Sequence, residues 1–129
     1  MRHAAVVDIE IWVEDRLALS AEEGGLRLDP QARLLLRGIS LLVAGNYETA
    51  AAILKERVAI TPTTDLSRAL LASALGHLGR AEEARQIWRE LKEINPRYSY
   101  SDHFGRLPFR NPTDADQLTE GLRKAGLVE

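Results

Sequence analysis

Residues 31–64 read QARLLLRGISLLVAGNYETAAAILKERVAITPTT, and residues 65–98 read DLSRALLASALGHLGRAEEARQIWRELKEINPRY. Shifted by 34 and laid on each other, they coincide at nine positions: Leu36/Leu70, Leu41/Leu75, Gly45/Gly79, Glu48/Glu82, Ala50/Ala84, Ile53/Ile87, Glu56/Glu90, Ile60/Ile94 and Pro62/Pro96. Chance gives roughly two or three in such a composition. The coincidences fall where a helical hairpin needs them. Gly45 and Gly79 follow apolar helical runs, at the position past a helix end that wants φ > 0. Ala50 and Ala84 come early in the next helix, where a small side chain lets two backbones approach. Ile53, Leu54 and Ile60, like Ile87, Trp88 and Ile94, carry an apolar stripe along that helix. Pro62 and Pro96 end it, because proline biases its predecessor away from the α conformation. The unit is helix, tight turn, helix, proline, with helices expected near 31–44, 47–60, 66–77 and 81–94.

A 34-residue helix-turn-helix unit of this kind resembles the tetratricopeptide repeat (TPR). The positions that carry the resemblance are Gly38, Leu41, Gly45, Tyr47, Ala50, Leu54, Ile60 and Pro62 in one copy. In the next they are Leu71, Ala72, Leu75, Gly79, Ala84, Trp88, Leu91, Ile94 and Pro96. Leu34 and Arg68 stand where an aromatic is usual, Arg57 where a small residue is usual, and Ala81 where the first copy has Tyr47.

Two hairpins leave both ends of a helical stack uncovered, so caps are expected. Within 4–23, Ala5, Val6, Ile9, Trp12, Val13 and Leu17 share one helical face. Val7, Ile9, Ile11 and Val13 also alternate with Asp8, Glu10 and Trp12, a strand pattern, but no second strand-like segment exists to pair with it. A helix is expected there. Leu26-Arg27-Leu28-Asp29-Pro30 reads as the end of a degenerate repeat, weakened by Gly24-Gly25. Past the second hairpin, Tyr98, Tyr100 and Phe104 suggest a short helix, and Leu107-Pro108-Phe109-Arg110-Asn111-Pro112 an irregular link. A final helix is expected over 113–125, with Asp114 and Asp116 at its positive end, Arg123 and Lys124 at the other, and Gly126 beyond it. Its stripe of Ala115, Leu118, Leu122 and Ala125 wants a surface to lie on.

Leu78-Gly79-Arg80, Glu82-Glu83-Ala84-Arg85, and Leu107-Pro108-Phe109-Arg110 through Gly121-Leu122-Arg123-Lys124-Ala125-Gly126-Leu127 look like the closing segment of TPR regions in bacteria. Those regions are attached to class III adenylate/guanylate cyclases and to winged-helix transcription regulators. The resemblance covers about the last half of the chain and implies the role of a helical interaction or regulatory region. It implies no catalytic or DNA-binding activity.

The expected architecture is all-α and single-domain: an N-terminal capping helix or degenerate repeat over 1–30, repeats over 31–64 and 65–96, and a C-terminal cap with a terminal helix over 97–129. Composition agrees. The chain has 129 residues, 45% hydrophobic, only 5% aromatic and 28% charged, a profile that favours helices over strands. The absence of cysteine excludes disulfides, thiolate nucleophiles and cysteine metal sites. A formal net charge of −2 forces neither a nucleic-acid nor a membrane partner. Seven acids against three bases in residues 1–30 read as a solvated helix face. No stretch approaches the ~20 apolar residues of a membrane span, and acids interrupt the N-terminal apolar run, so the expected location is cytoplasmic.

Residues for chemistry are sparse. His3, His77 and His103 form no close ligand pair, and no nucleophile motif or phosphate-binding loop is present, so no enzyme activity, metal or cofactor is expected. Arg97, Arg106, Arg110, Arg123 and Lys124 lie among Tyr98, Tyr100, Phe104 and Phe109, but the region is net neutral and its aromatics suit a cap core better than stacked bases.

The TPR resemblance implies that the first helix of each repeat lines a concave groove. The groove positions are then Ala32, Leu35, Ile39, Leu42 and Val43 in the first repeat and Leu66, Ala69, Ser73, Gly76 and His77 in the second. These are apolar or small, unlike the lysines, arginines and asparagines with which some TPRs clamp peptide carboxylates. The helix around 34–44 is apolar nearly all round and needs cover on both sides. The chain's own terminal helix, a second copy, or a partner's helix or peptide could supply it. The expected function is non-catalytic capture of a protein or peptide partner in this groove. The alternatives are homo-oligomerisation through it, or a small-molecule sensor with Ser73 or His77 as polar anchor.

Overall fold

The computed structural model describes residues 30–107, 109 and 113–129. The capping helix expected over 4–23 lies outside the described residues. Among the described residues there are six helices and no strand: α1 Pro30–Val43, α2 Tyr47–Ile60, α3 Asp65–His77, α4 Ala81–Ile94, α5 Tyr100–Gly105 and α6 Thr113–Lys124. The helix bounds read from the repeat agree to within a residue.

The turns show why the two hairpins look alike. Gly45 and Gly79 have φ of 88° and 78°. Behind the first, Asn46 N–H donates to Leu41 O (2.8 Å) and Gly45 N–H to Leu42 O (3.0 Å). Behind the second, Arg80 N–H donates to Leu75 O (2.9 Å) and Gly79 N–H to Gly76 O (3.1 Å). Both are the left-handed glycine cap that satisfies the last helical carbonyls. Leu127 N–H to Leu122 O (3.0 Å) and Gly126 N–H to Arg123 O (2.9 Å) repeat the motif after α6.

Each helix packs on the next, α1 on α2, α2 on α3 and α3 on α4. Helix α3 is central, because α6 comes back to lie on it as well. Every residue from Leu66 to Gly76 is therefore buried. Helix α1 keeps an exposed side at Arg33 and Arg37, while Leu35, Leu36, Ile39, Leu42 and Val43 are buried. Leu42, Leu54, Leu70, Leu71, Leu75, Leu91, Leu118 and Leu122 have no exposed side chain to speak of. Each such leucine contributes about 1.5–3 kcal/mol of burial.

The polar residues within α3 are matched by partners. Ser67 Oγ accepts from Arg57 Nη1 at 2.7 Å. Arg68, at the position where the TPR resemblance expects an aromatic, is 8% exposed. Its guanidinium donates to Glu90 Oε1 (3.2 Å), to Thr64 O (3.1 Å) and to Pro62 O, tying α3 to α4 and to the link between hairpins. The Thr64 hydroxyl caps α3 by accepting from Ser67 N–H at 3.2 Å.

After α4, Tyr98 meets Trp88 edge-on, with ring centroids 6.1 Å apart. Asn95 Nδ2 donates to Asp65 Oδ2 at 3.1 Å, joining this loop to the start of α3. Phe104 of α5 is buried in the same core.

Candidate partner-binding face

The groove positions expected from the sequence lie on the first helix of each hairpin, α1 and α3. In α3, Ser73, Gly76 and His77 are spaced three and four apart, so they share one side of the helix. Helix α6 lies on that side. Ser73 Oγ donates to Leu118 O at 2.7 Å. His77 Nε2 lies 2.8 Å from Gln117 O, and His77 Nδ1 lies 3.4 Å from Lys124 Nζ. A carbonyl can only accept and an ammonium can only donate. The pair fixes the neutral imidazole with its hydrogen on Nε2. Tyr47 stacks on the same ring, centroids 4.1 Å apart and planes 6° apart.

Gln117 joins the two hairpins. Its Nε2 donates to Tyr47 Oη (2.8 Å) and to Leu42 O at the end of α1 (3.2 Å). That carbonyl also accepts from Gly45 N–H in the turn. The side chain of one α6 residue thus reads the end of α1 and the start of α2.

The crossing of α3 and α6 is set by two glycines. A Cβ on Gly76 would collide with the Gly121 carbonyl oxygen and sit 3.3 Å from Ala125 Cβ. A Cβ on Gly121 would collide with the Ser73 carbonyl and hydroxyl and come within 2.7 Å of His77 Cδ2. The backbones approach as closely as they do because neither position has a side chain.

Burial pushes the His77 imidazole below its ordinary value of 6.5. The hydrogen bond to Gln117 opposes this, the Lys124 charge reinforces it and the Glu120 charge opposes it. A second histidine, His103, is also lowered, first by burial. Its Nδ1 lies 3.0 Å from Tyr98 Oη, away from the α6 face. Burial also raises the Tyr98 phenol.

Of the groove residues read from the sequence, Leu35, Ile39, Leu42, Val43, Leu66, Ala69 and Ser73 are buried and His77 is half-buried. The Ala32 side chain lies outside the described residues. Leu42, Ser73 and His77 are brought together through α6. Ser73 and His77, the anchors considered for a small molecule, both bond to α6 carbonyls. Gln117, Leu118, Gly121 and Lys124 contact these positions but were not among the groove positions. Their signal in the sequence was the stripe of Ala115, Leu118, Leu122 and Ala125, which needed a surface. Its glycine at 121 matches the glycine at 76. Among the described residues, no group of three or more His, Asp or Glu is placed to hold a metal, and no helix is long and apolar enough to cross a membrane.

Comparison with known proteins adds one partial likeness. A Rhizobium meliloti (strain 1021) protein named "Putative adenylate cyclase 3" is 49% identical over 45 residues. Those residues are 34% of this chain and 8% of that protein, so the likeness is to a small part of a much longer molecule. No family model and no solved structure gives a match.

Proposed function

We propose that this chain is a non-catalytic interaction module, a TPR-like α-α superhelix that takes a helical or peptide segment of a protein on the concave face formed by α1 and α3. The observation that carries the reading is the way α6 lies on α3. That face receives a helix, with Ser73 and His77 supplying hydrogen bonds to its backbone. The 34-residue register and the paired glycine caps support the repeat assignment. The 45-residue likeness to part of a cyclase-named protein fits a region that accompanies a catalytic domain and does not itself catalyse. Its role would be to bring a partner to such an enzyme or to regulate it.

Tyr47 and His77 are half-buried, at the edge of the face, so they can be changed with less damage than the leucines beneath. The test is capture of partners by the full chain and by the Tyr47→Ala/His77→Ala variant, with circular dichroism of both. The expected outcome is a specific partner retained by the parent and lost by a variant that is still helical. Equal capture by both would contradict the reading. Sedimentation at micromolar concentration separates capture of another protein from self-association.

A further inference from the structure

Between α4, the start of α5 and the segment after α6 lies a cleft of about 420 Å3. Small-molecule sites span roughly 300–1,000 Å3. We propose that this cleft binds a small aromatic carboxylate, with the ring against Trp88 and Tyr100 and the carboxylate at Lys92.

The walls are fixed from behind. Trp88 of α4 meets Tyr98 edge-on, with the ring planes at 87°. Tyr98 is buried, and its hydroxyl lies 3.0 Å from His103 Nδ1. Tyr100 meets the buried Phe104 edge-on, with centroids 6.2 Å apart. Leu127 and Val128 line the other side of the cleft. Their segment is tied to α6, because Leu127 N–H donates to Leu122 O (3.0 Å) and Arg123 Nε donates to Glu129 O (2.7 Å). A ligand therefore has few side chains to immobilise, which lowers the entropic cost of binding.

Three donors in this frame are unused. The Trp88 and Tyr100 rings are half-buried, and among the described residues neither Trp88 Nε1–H nor the Tyr100 hydroxyl has a hydrogen-bond partner. Lys92 lines the same cleft and has no ion pair among the described residues. One turn before Trp88 on the same side of α4, Arg85 Nη1 is buried without an acceptor. Indole and ammonium groups donate only, so their complement is an acceptor-rich anion. The aromatic walls favour a planar ring, which gains edge-on or offset contacts that an alicyclic ring of similar size does not. Glu129 also lines the cleft. Its charge opposes an anion and directs the carboxylate to the Lys92 end.

The site shares no residue with the α1 and α3 positions read as a partner face, so the two readings stand or fall separately. The test is titration of the isotopically labelled full chain, read at the Trp88 indole N–H signal. That signal is the one retained by Trp12→Phe, since the chain has two tryptophans. Indole-3-acetate is expected to move it with a Kd of about 0.1 mM. Indole-3-acetamide, which lacks the charge, and cyclohexylacetate, which lacks the ring, should each bind about fivefold more weakly. Lys92→Gln, at an exposed position, should weaken indole-3-acetate about fivefold and leave the acetamide unchanged, whereas Glu129→Gln should tighten the acetate about twofold.

A signal unmoved at about 5 mM indole-3-acetate in the folded chain would overturn the proposal. Equal binding of the acetate and the acetamide would do the same, and so would parent-like binding by Lys92→Gln. Tighter binding of indole-3-ethylamine would assign the cleft to a cation facing Glu129 and overturn the choice of an anion. Tighter binding of the peptide Gly-Gly-Trp would assign the ring and carboxylate to the end of a protein chain and overturn the choice of a free acid.

Discussion

The two hairpins share a turn but not a face. Repeat register pairs Ile39 with Ser73, Leu42 with Gly76, and Val43 with His77. In α1 these positions hold bulky aliphatic side chains, whereas in α3 they are small or polar. All but the half-buried His77 are in the interior, and the two sets arrive there by different physics. Leu42 and Val43 are covered because apolar area leaves water. Ser73 and Gly76 are covered because a second backbone comes close enough to use them, one as a donor and one as empty space. One repeat keeps its own apolar face, and the other has become a seat for a helix.

Reversing the side-chain sizes should break this contrast most severely. Leu42→Ala leaves a cavity in the first hairpin and should lower stability by about 3 kcal/mol, read from urea unfolding. Gly76→Leu, at the matching position, should lower it by about 3 kcal/mol through overpacking. The mechanisms can be told apart. The first variant should keep α6 amides protected from hydrogen exchange, and the second should expose them while α1 and α2 stay protected. Loss of protection throughout both variants would mean that the hairpins do not differ in this way.

The shared turn gives a smaller and symmetrical effect. Gly45→Ala and Gly79→Ala each place a Cβ on a left-handed residue with nothing within 4 Å to clash, so strain alone acts. Each should cost about 1 kcal/mol, and the two values should agree within error. A large difference would show that the turns are not equivalent. Ser73→Ala removes the hydrogen bond to Leu118 O and should also cost about 1 kcal/mol. Its counterpart change, Ile39→Val, removes only a methylene.

The smallest expected effect is on pH dependence, and it is confined to the second hairpin and the segment after it. His77 and His103 both have lowered pKa values in the fold, so the unfolded chain binds protons first as the pH falls. Stability is therefore whole above the ordinary value of 6.5 and is lost as the pH drops below it towards the folded values. His77→Gln keeps a side-chain donor and should flatten part of this slope, as seen in thermal melts between pH 5 and 7. An unchanged slope in that variant would assign the dependence to His103 or elsewhere.

What could be read from the residues follows the same division. The helices and the glycine caps were legible because a hairpin's turn depends on local conformation, and Gly45, Gly79, Pro62 and Pro96 mark it directly. The burial of α1 was legible from its run of leucine, isoleucine and valine. The complete burial of α3 was not. Ser67, Arg68, Ser73 and His77 interrupt its apolar pattern, and such residues ordinarily face water. Their partners lie far away in sequence, Glu90 for Arg68 and Leu118 for Ser73. The α6 stripe announced a need for a surface, but the surface itself is defined by a glycine, which leaves no mark in a hydropathy pattern.

The central claim is that α6 sits on α3 with Gly76 against Gly121. In the isotopically labelled full chain, nuclear Overhauser contacts between the α protons of these two glycines test it directly. Strong contacts in the parent chain, lost in Gly76→Leu, are the expected result. Their absence from a folded parent chain would contradict the claim.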